Sequence, residues 1–317
     1  MLKVFESVLS VLLMIGLGFL LAKRGRFGSE AASIISRLVV LVGLPAYMVS
    51  NLMGGYDRAK ILAMLPGLPI PLAVMAASYA LARFAARAIR VVEGRRGTFA
   101  SMFALSNTIF IGLPVNLILF GEKSLPYVLL YYVVNTSFFW TVGVYGIARD
   151  GALRTGGPAP KIVSLDSLRR VFSPPLIAFL ASAALIMAGL RLPVFFLDLA
   201  RSVGNMTTPL SMIFIGITIA AVDWKLVRPH LDVVLVVLGR FVATPLLLAF
   251  AVHWTELPLL MKRVFLIEAS MPSMTQAPIL AKAYGADAEY AGLITSLTTV
   301  ASMATIPLYM ALIGRIV

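Results

Sequence analysis

Apolar residues along this chain are gathered into long segments that alternate with short polar gaps. Each segment approaches the roughly 20 apolar residues that a helix needs to cross a bilayer. The pattern predicts ten membrane-spanning helices, at 4–22, 32–51, 61–84, 98–120, 125–148, 172–190, 195–221, 231–252, 263–283 and 288–313. Composition agrees, because 60% of the residues are hydrophobic and 13% are charged, against about 45–50% and about 25% in soluble domains. The sequence therefore predicts an all-α membrane protein and excludes a single water-soluble globule.

The formal net charge of +13 does not indicate a nucleic-acid partner, since the Lys and Arg residues lie in the short gaps between apolar segments. Basic residues there are typical topology signals at the lipid surface. Counted in alternate gaps, one set holds about twice as many as the other, beginning with Lys23, Arg24 and Arg26. This bias places that set in the cytoplasm. It predicts a multi-pass protein of the inner membrane with both termini on the non-cytoplasmic side.

One long polar connection, Arg149–Arg170, divides the spans five and five. The predicted organisation is a first five-helix repeat at 1–148, a cytoplasmic linker at 149–171 and a second repeat at 172–317. A shift of 164 positions aligns Pro45 with Pro209, Ser106 with Ser270, Pro114 with Pro278, and Gly121 with Gly285. An odd number of spans per repeat inverts the second copy, and inverted repeats are typical of secondary transporters with a binding site near the midplane.

Spans four and nine carry helix breakers and polar residues where hydrocarbon-facing residues are expected. In span four these are Asn107, Thr108, Gly112, Pro114 and Asn116, and in span nine Ser270, Pro272, Ser273, Thr275, Gln276 and Pro278. Proline removes an amide donor, and each unsatisfied backbone group costs several kcal/mol in lipid. The sequence therefore predicts two discontinuous helices, 4 and 9, that cross at the midplane.

The predicted crossing suits a carboxylate ligand. Pro114 and Pro278 fit the first turn of each second half-helix, where free amides and the positive helix end attract an anion. The predicted substrate-binding residues are Asn107, Thr108, Pro114, Asn116, Asn135, Ser270, Pro272, Ser273, Thr275, Gln276 and Pro278. The alternative for each hydroxyl or amide is a hydrogen bond to its own or a neighbouring helix.

Two ionisable residues lie deep in the predicted spans: Arg240 in span eight and Glu268 just before the span-nine break. Buried charges in membranes are functional candidates by default and are usually paired. A coupling role and a structural Arg240–Glu268 ion pair both remain open. The sequence shows no Walker loop, GxSxG or HExxH motif, and it holds two His and no Cys, so we expect no enzyme activity, cofactor or metal.

Asn107-Thr108 with Gly112-Leu113-Pro114, the run from Met271-Pro272 through Pro278 to Tyr284-Gly285, and Pro45 and Pro307 together resemble the auxin efflux carrier family. The family includes bacterial malonate-type carriers and plant PIN-type auxin exporters. The resemblance implies ten helices in a fold shared with sodium/proton antiporters and bile-acid symporters. It also implies a scaffold of helices 1, 2, 6 and 7, a transport domain of helices 3–5 and 8–10, elevator-type motion and a homodimer. The matching motif residues imply that the carboxylate substrate lies near Asn107, Pro114, Pro272 and Pro278, and also near Asn135.

This chain departs from the plant exporters in two ways. Its central loop is short, and its third span has only Ser78 and Tyr79 as mid-span polar residues, without the carboxylate of the plant site. Auxin itself is therefore not the expected substrate. We expect a secondary-active or potential-driven carrier that exports a small organic carboxylate, with proton or sodium coupling through Glu268 left open. The alternatives are a sodium-coupled importer of organic anions on the same fold and a membrane sensor with a relic pocket.

Overall fold

The computed structural model describes residues 2–158, 172–221 and 230–316. These described residues are almost entirely helical and contain no strand, only one isolated β-bridge. Most of the predicted linker and the basic residues Lys161, Arg169, Arg170, Lys225 and Arg228 lie outside the described residues.

The helices follow the apolar segments closely. The first half contains α1 (Leu2–Lys23), α2 (Ser29–Leu38), α3 (Leu44–Gly55), α4 (Arg58–Met64), α5 (Pro69–Ala88), α6 (Arg96–Ala104), α7 (Leu113–Phe120), α8 (Leu125–Phe138) and α9 (Val144–Thr155). The second half contains α10 (Pro174–Met187), α11 (Val194–Gly204), α12 (Thr207–Ala220), α13 (Leu231–Leu238), α14 (Thr244–His253), α15 (Leu259–Ala269), α16 (Ala277–Ala283) and α17 (Ala288–Ile316). Short π-helical or 3₁₀ segments join several of these helices.

Six helical stretches within the described residues are long and apolar enough to cross a membrane. They are Glu30–Gly55, Arg58–Ala88, Glu122–Thr155, Val194–Ala220, Leu231–His253 and Ala288–Gly314. Shorter apolar helices occupy Leu13–Lys23, Thr108–Phe120 and Pro174–Met187. The prediction of an all-helical, multi-pass membrane protein is therefore supported, and the inverted arrangement of two five-helix repeats stays a prediction.

Prolines inside the spans are accommodated by widened turns. The π-helical segments Val39–Gly43, Thr108–Gly112 and Gly239–Ala243 each lie immediately before a helix whose second residue is proline. A proline lacks the amide that would bond the carbonyl four residues back, and its ring crowds that carbonyl. A π turn opens the backbone there without ending the helix.

Helix α9 extends past residue 149, where the linker was predicted to begin. Helix α9 continues to Thr155 and ends where Gly156 adopts a left-handed conformation, with φ of 70°. Ala152, Leu153 and Arg154 favour helix, and glycine is the residue that most easily takes the left-handed position that closes it. A polar stretch at a membrane surface can thus remain helical, and the division into two repeats and a linker stays a prediction.

The described residues cluster into two compact units. Unit 1 comprises 1–68, 109–130 and 171–222, and unit 2 comprises 69–108, 131–170 and 223–317. Within unit 1, α1 packs along α12, and α3 packs against α10 and α11. The α1–α12 contact is very close, since a Cβ added at Gly18 would overlap the backbone of Ile213. Unit 1 thus contains the described parts of predicted spans 1, 2, 6 and 7.

Unit 2 is built around α6, which packs against α5 and α9. The N-terminus of α6 is capped by Asp150 from α9. Its carboxylate accepts hydrogen bonds from the amides of Gly97 at 2.9 Å and Thr98 at 2.6 Å, and from the Thr98 hydroxyl at 2.9 Å. Asp150 is 2% exposed. The acceptor that α6 lacks in its own sequence therefore comes from a neighbouring helix.

A second ionic cluster of unit 2 lies at the loop between α16 and α17. Asp287 binds the Arg95 guanidinium at 2.7 Å and the Arg154 guanidinium at 3.3 Å, and it accepts the amide of Tyr290 at 3.0 Å. Partial burial raises the pKa of Asp287, but the Tyr290 amide and the Arg95 guanidinium outweigh that effect. The pKa therefore lies below its ordinary value. The cluster joins the beginning of α6, the end of α9 and the beginning of α17.

We predict that Asp150→Ala destabilises the protein by about 2 kcal/mol, because the α6 amides are left buried without an acceptor. The measurement is thermal unfolding of the purified protein in detergent. Asp57→Ala is the matched control, since Asp57 caps α4 through the Lys60 amide at 2.8 Å in an exposed position. Its cost is expected to be smaller, and equal losses would contradict the buried-cap interpretation.

Asp287 predicts a pH dependence. Because its pKa is lowered by folding, its stabilisation is complete above the unfolded value of about 4 and is lost as pH falls through the lower folded value. Unfolding temperatures measured from pH 6 to pH 3 should therefore fall less steeply for Asp287→Asn than for the unsubstituted protein. Glu93→Gln, which removes the exposed Arg96–Glu93 pair, should leave the slope unchanged.

Candidate functional site

Two helices of unit 2 are interrupted in the middle of apolar sequence. Helix α6 ends at Ala104, and Leu105 is extended, with φ of −109° and ψ of 133°. Helical structure resumes only at Thr108. Helix α15 ends at Ala269 and the next helix begins at Ala277. Each interruption contains residues that disfavour helix interiors, Ser106-Asn107 in the first and Pro272-Ser273 in the second.

The two interruptions cross each other. Ser106 and Ser273 form an isolated antiparallel bridge. The backbone amide of Asn107 donates to the Pro272 carbonyl oxygen at 2.8 Å. Backbone groups that lost their helical partners thus pair with the other interruption. In a region without water this pairing is the condition for a break to persist.

Neighbouring side chains pair the remaining backbone groups. The Asn135 side chain accepts the Ser106 amide at 3.2 Å and donates to the Ser106 carbonyl oxygen at 2.9 Å. The Thr298 hydroxyl of α17 accepts the Ser273 amide at 3.2 Å. The Ser273 hydroxyl donates to the Met102 carbonyl oxygen at 2.7 Å. The crossing is therefore a closed hydrogen-bond network supported by α8 and α17.

Arg240 supplies the positive charge of this network. It lies in the π-helical segment Gly239–Ala243 and is fully buried. Its guanidinium donates to the Phe103 carbonyl oxygen at 3.2 Å and to the Ala269 carbonyl oxygen. Gly239 makes this approach feasible, because a Cβ there would overlap the ring of Phe103.

Glu268 and Tyr131 lie beside Arg240 and are also fully buried. Glu268 is in the last turn of α15, one residue before the carbonyl that Arg240 binds. The Tyr131 ring packs on Phe265 of the same helix at 5.7 Å between ring centroids. Its hydroxyl lies near Ser106 and within electrostatic reach of Arg240 and Glu268. Three ionisable residues and the broken backbone are thus gathered in one place.

The predicted site residues of unit 2 divide into two groups. Asn107, Asn135, Ser270 and Ser273 are buried, and the Ser270 hydroxyl donates to the Leu266 carbonyl oxygen of its own helix at 2.7 Å. Pro272 is buried as well, whereas Thr275, Gln276 and Pro278 are half-buried. Within the part of the chain that the structure describes, the Gln276 side-chain oxygen has no hydrogen-bond partner. The half-buried residues are thus the more accessible part of the predicted site.

Pro114 and Asn116 belong to unit 1, and Pro114 differs from expectation. It does not open a half-helix, because the π-helical segment Thr108–Gly112 precedes α7 without interruption. The backbone that leads into Pro114 is therefore helical, and a role of Pro114 in binding a carboxylate stays a prediction. Asn116 donates to the Gly112 carbonyl oxygen at 2.9 Å. Pro278, in contrast, does lie in the first turn of α16.

Sequence reasoning missed several groups that build the site. Tyr131 was not among the predicted site residues, although a tyrosine hydroxyl in mid-span needs a polar partner. Tyr309 donates to the Phe241 carbonyl oxygen at 2.5 Å, the carbonyl that Pro245, four residues later, cannot bond. Thr298 lies in the polar stretch of span ten, but sequence alone does not assign it to the Ser273 amide.

Comparisons with known proteins agree with one another. A family model described as "Membrane transport protein" matches residues 3–310. An "Uncharacterized transporter" of Methanothermobacter thermautotrophicus is 29% identical over 308 residues, with 96% of each chain covered. One from Methanocaldococcus jannaschii is 24% identical over 318 residues, covering 96% of this chain and 97% of the relative. A "Putative malonate transporter" of Rhizobium meliloti is 25% identical over 301 residues, covering 92% and 90%.

We predict that Asn135→Ala loosens the crossing, because it removes the side chain that accepts the Ser106 amide and donates to the Ser106 carbonyl oxygen. A loss of about 2 kcal/mol in unfolding free energy is expected, with faster hydrogen exchange at residues 105–107. Thermal unfolding and exchange mass spectrometry measure the two effects. Ser78→Ala is the control, since that buried hydroxyl has no hydrogen-bond partner among the described residues. If both variants behave alike, Asn135 does not support the break.

Proposed function

The chain belongs to the membrane transport protein family, and on that premise we propose that it carries a small organic carboxylate across the inner membrane. The match confirms the resemblance to the auxin efflux carrier family. The protein is an integral, multi-pass membrane protein. The proposed site is the crossing in unit 2, and the proposed movement is elevator-type alternating access between the two faces of the membrane.

The observation that carries the proposal is the antiparallel crossing at Ser106 and Ser273. Helical structure begins again after each of the two interrupted segments, at Thr108 and at Ala277. The positive dipole end of a helix favours an anion. The side chains of Thr275 and Gln276, half-buried at the same place, supply polar contacts. The arrangement thus favours a negatively charged, hydrogen-bonding ligand.

The relatives support the same class of ligand. The Rhizobium meliloti relative carries malonate in its name, and malonate is a small carboxylate. The alignment covers most of both chains, so it includes both interruptions. We therefore take malonate as the first compound to test, and the proposal itself is the carboxylate class.

The division into units supports a scaffold and a transport domain. Unit 2 holds both interruptions together with α5, α9 and α13 to α17, whereas unit 1 holds α1 to α4 and α10 to α12. We propose that unit 2 is the transport domain, that unit 1 is the scaffold and that a homodimer forms through the scaffold. The boundaries at 108/109 and 130/131 fall inside predicted spans four and five. The end of span four and the beginning of span five therefore pack with unit 1.

We propose that transport is outward. An exported monoanion gains about 2.3 kcal/mol per 100 mV of inside-negative potential. The excess of basic residues in the gaps assigned to the cytoplasm sets the orientation, with both termini outside. A sodium-coupled importer would use the same crossing, because hydroxyl and amide oxygens are hard ligands that suit a small cation.

Proteoliposomes loaded with radiolabelled malonate test the function. We expect efflux that accelerates several-fold when a potassium diffusion potential makes the lumen negative, and that does not require sodium. Asn107→Ala and Gln276→Ala should each lower efflux at least tenfold by removing polar contacts at the crossing. Asn205→Ala, an exposed asparagine at the end of α11, is the control that should retain wild-type efflux.

Each contrary result has its own meaning. Unchanged efflux in both crossing variants would remove the crossing as the binding site. Transport that appears only with sodium on the same side as malonate would favour the importer. Absence of malonate transport, together with transport of a monocarboxylate such as acetate in the same vesicles, would keep the function and change the substrate.

A further inference from the structure

Arg240 makes contacts that neither a ligand-binding residue nor an ion-pair partner would need. Its guanidinium reaches the carbonyl oxygen of Phe103 in the last turn of α6 and that of Ala269 at the end of α15. These are the helix ends on the upstream side of the two interruptions. One side chain from a third element, the segment Gly239–Ala243, therefore joins both broken helices.

Two negative helix ends lie against the Arg240 guanidinium. Each helix C-terminus carries the equivalent of about half a negative charge, and both ends attract the guanidinium. A buried cation in a membrane is usually paired. Here one carbonyl oxygen from each helix end accepts a hydrogen bond from the guanidinium. The Arg240 guanidinium therefore bonds protein acceptors in the absence of a ligand.

We infer that Arg240 is the positioning residue of the crossing, and that it fixes the ends of α6 and α15 to each other so that Ser106 and Ser273 stay in register. The inference rests on the proposed function, because the aligned crossing is the proposed carboxylate site. It assigns Arg240 a role in shaping that site without touching the ligand.

The chemistry of the side chain fits this role. The guanidinium is a planar fork whose two terminal nitrogens point to different acceptors, and each bonds a different helix end. A lysine ammonium is a point charge on a flexible stem and does not reproduce the fork. The Thr244 hydroxyl lies 3.5 Å from the same Phe103 carbonyl oxygen. Two hydrogen-bond donors of the stretch Leu231–His253, the Arg240 guanidinium and the Thr244 hydroxyl, therefore lie at the end of α6.

The test combines Arg240→Met, Arg240→Lys, Glu268→Gln and the Arg240→Met/Glu268→Gln double variant. Malonate efflux and hydrogen exchange at 103–107 and 269–276 are measured for each folded protein. We expect Arg240→Met to raise the malonate KM at least tenfold and to speed exchange in both segments. Arg240→Lys should restore part of each effect. Glu268→Gln should leave exchange in the two segments unchanged, and the double variant should behave like Arg240→Met.

Three results would overturn the inference. Recovery of exchange protection and KM in the double variant would show that Arg240 and Glu268 form an ion pair. A lower yield of Arg240→Met with unchanged KM and exchange in its folded fraction would show a purely structural residue. Full activity and wild-type exchange in Arg240→Met would show no role at the crossing.

The two levels of the proposal can fail separately. If the unsubstituted protein moves no carboxylate, the proposed function fails. The exchange measurements still decide whether Arg240 holds the two helix ends. If transport is present and hydrogen exchange at the two segments is unchanged in the Arg240 variants, only the positioning role fails. Arg240→Lys keeps the charge and is the variant to use if Arg240→Met does not fold.

Discussion

The structure of unit 2 depends on one constraint: every backbone amide and carbonyl within an apolar layer must find a partner. An uninterrupted helix meets this constraint automatically, whereas α6 and α15 stop in the middle of their spans. Their free groups are paired by the opposite interruption, by the Asn135 amide, by the Thr298 hydroxyl and by the Arg240 guanidinium. The polar residues of spans five, eight and ten are thus consequences of the broken backbone in spans four and nine.

The matched prolines show two solutions to the same problem. Pro114 and Pro278, related by the shift of 164, each stand second in a helix, and those helices are followed by Gly121 and Gly285 with φ of 70° and 72°. The backbone before them differs, however. A π-helical turn leads into Leu113, whereas extended and turn residues lead into Ala277. The two halves therefore share their helix endings and differ in how they begin.

This difference explains what the sequence could and could not predict. Apolar segment length is a strong signal, and most residues of every predicted span are helical. The breaks in spans four and nine were predicted because proline, glycine and amide side chains are costly in lipid-facing helices. The helical backbone before Pro114 was not predicted, since a missing amide can be accommodated either by ending a helix or by widening a turn. Local sequence does not distinguish these outcomes, because the choice depends on neighbours distant in the chain.

The hydrogen-bond partners of individual polar residues could not be predicted from the sequence either. Asn135 was predicted as a ligand-binding residue, and its amide is occupied at both ends by the backbone of Ser106. Asp150 was counted within a linker and proved to cap α6 from a distance of more than fifty residues. Residue type and depth predict that a polar group will be satisfied, but its partner depends on which helices pack together.

Charge at the crossing separates the two tasks of the site. The upstream helix ends are negative and are bound by Arg240, so its cation is already engaged by carbonyl oxygens before any ligand arrives. In the proposed carrier, attraction for an anion then comes from the helix beginnings at Thr108 and Ala277 and from polar side chains such as Gln276, whose oxygen has no hydrogen-bond partner among the described residues. Such attraction is shared among partial charges and hydrogen bonds. A binding site without a fully available cation holds a carboxylate weakly enough to release it, as a carrier that must let go of its cargo on the far side requires.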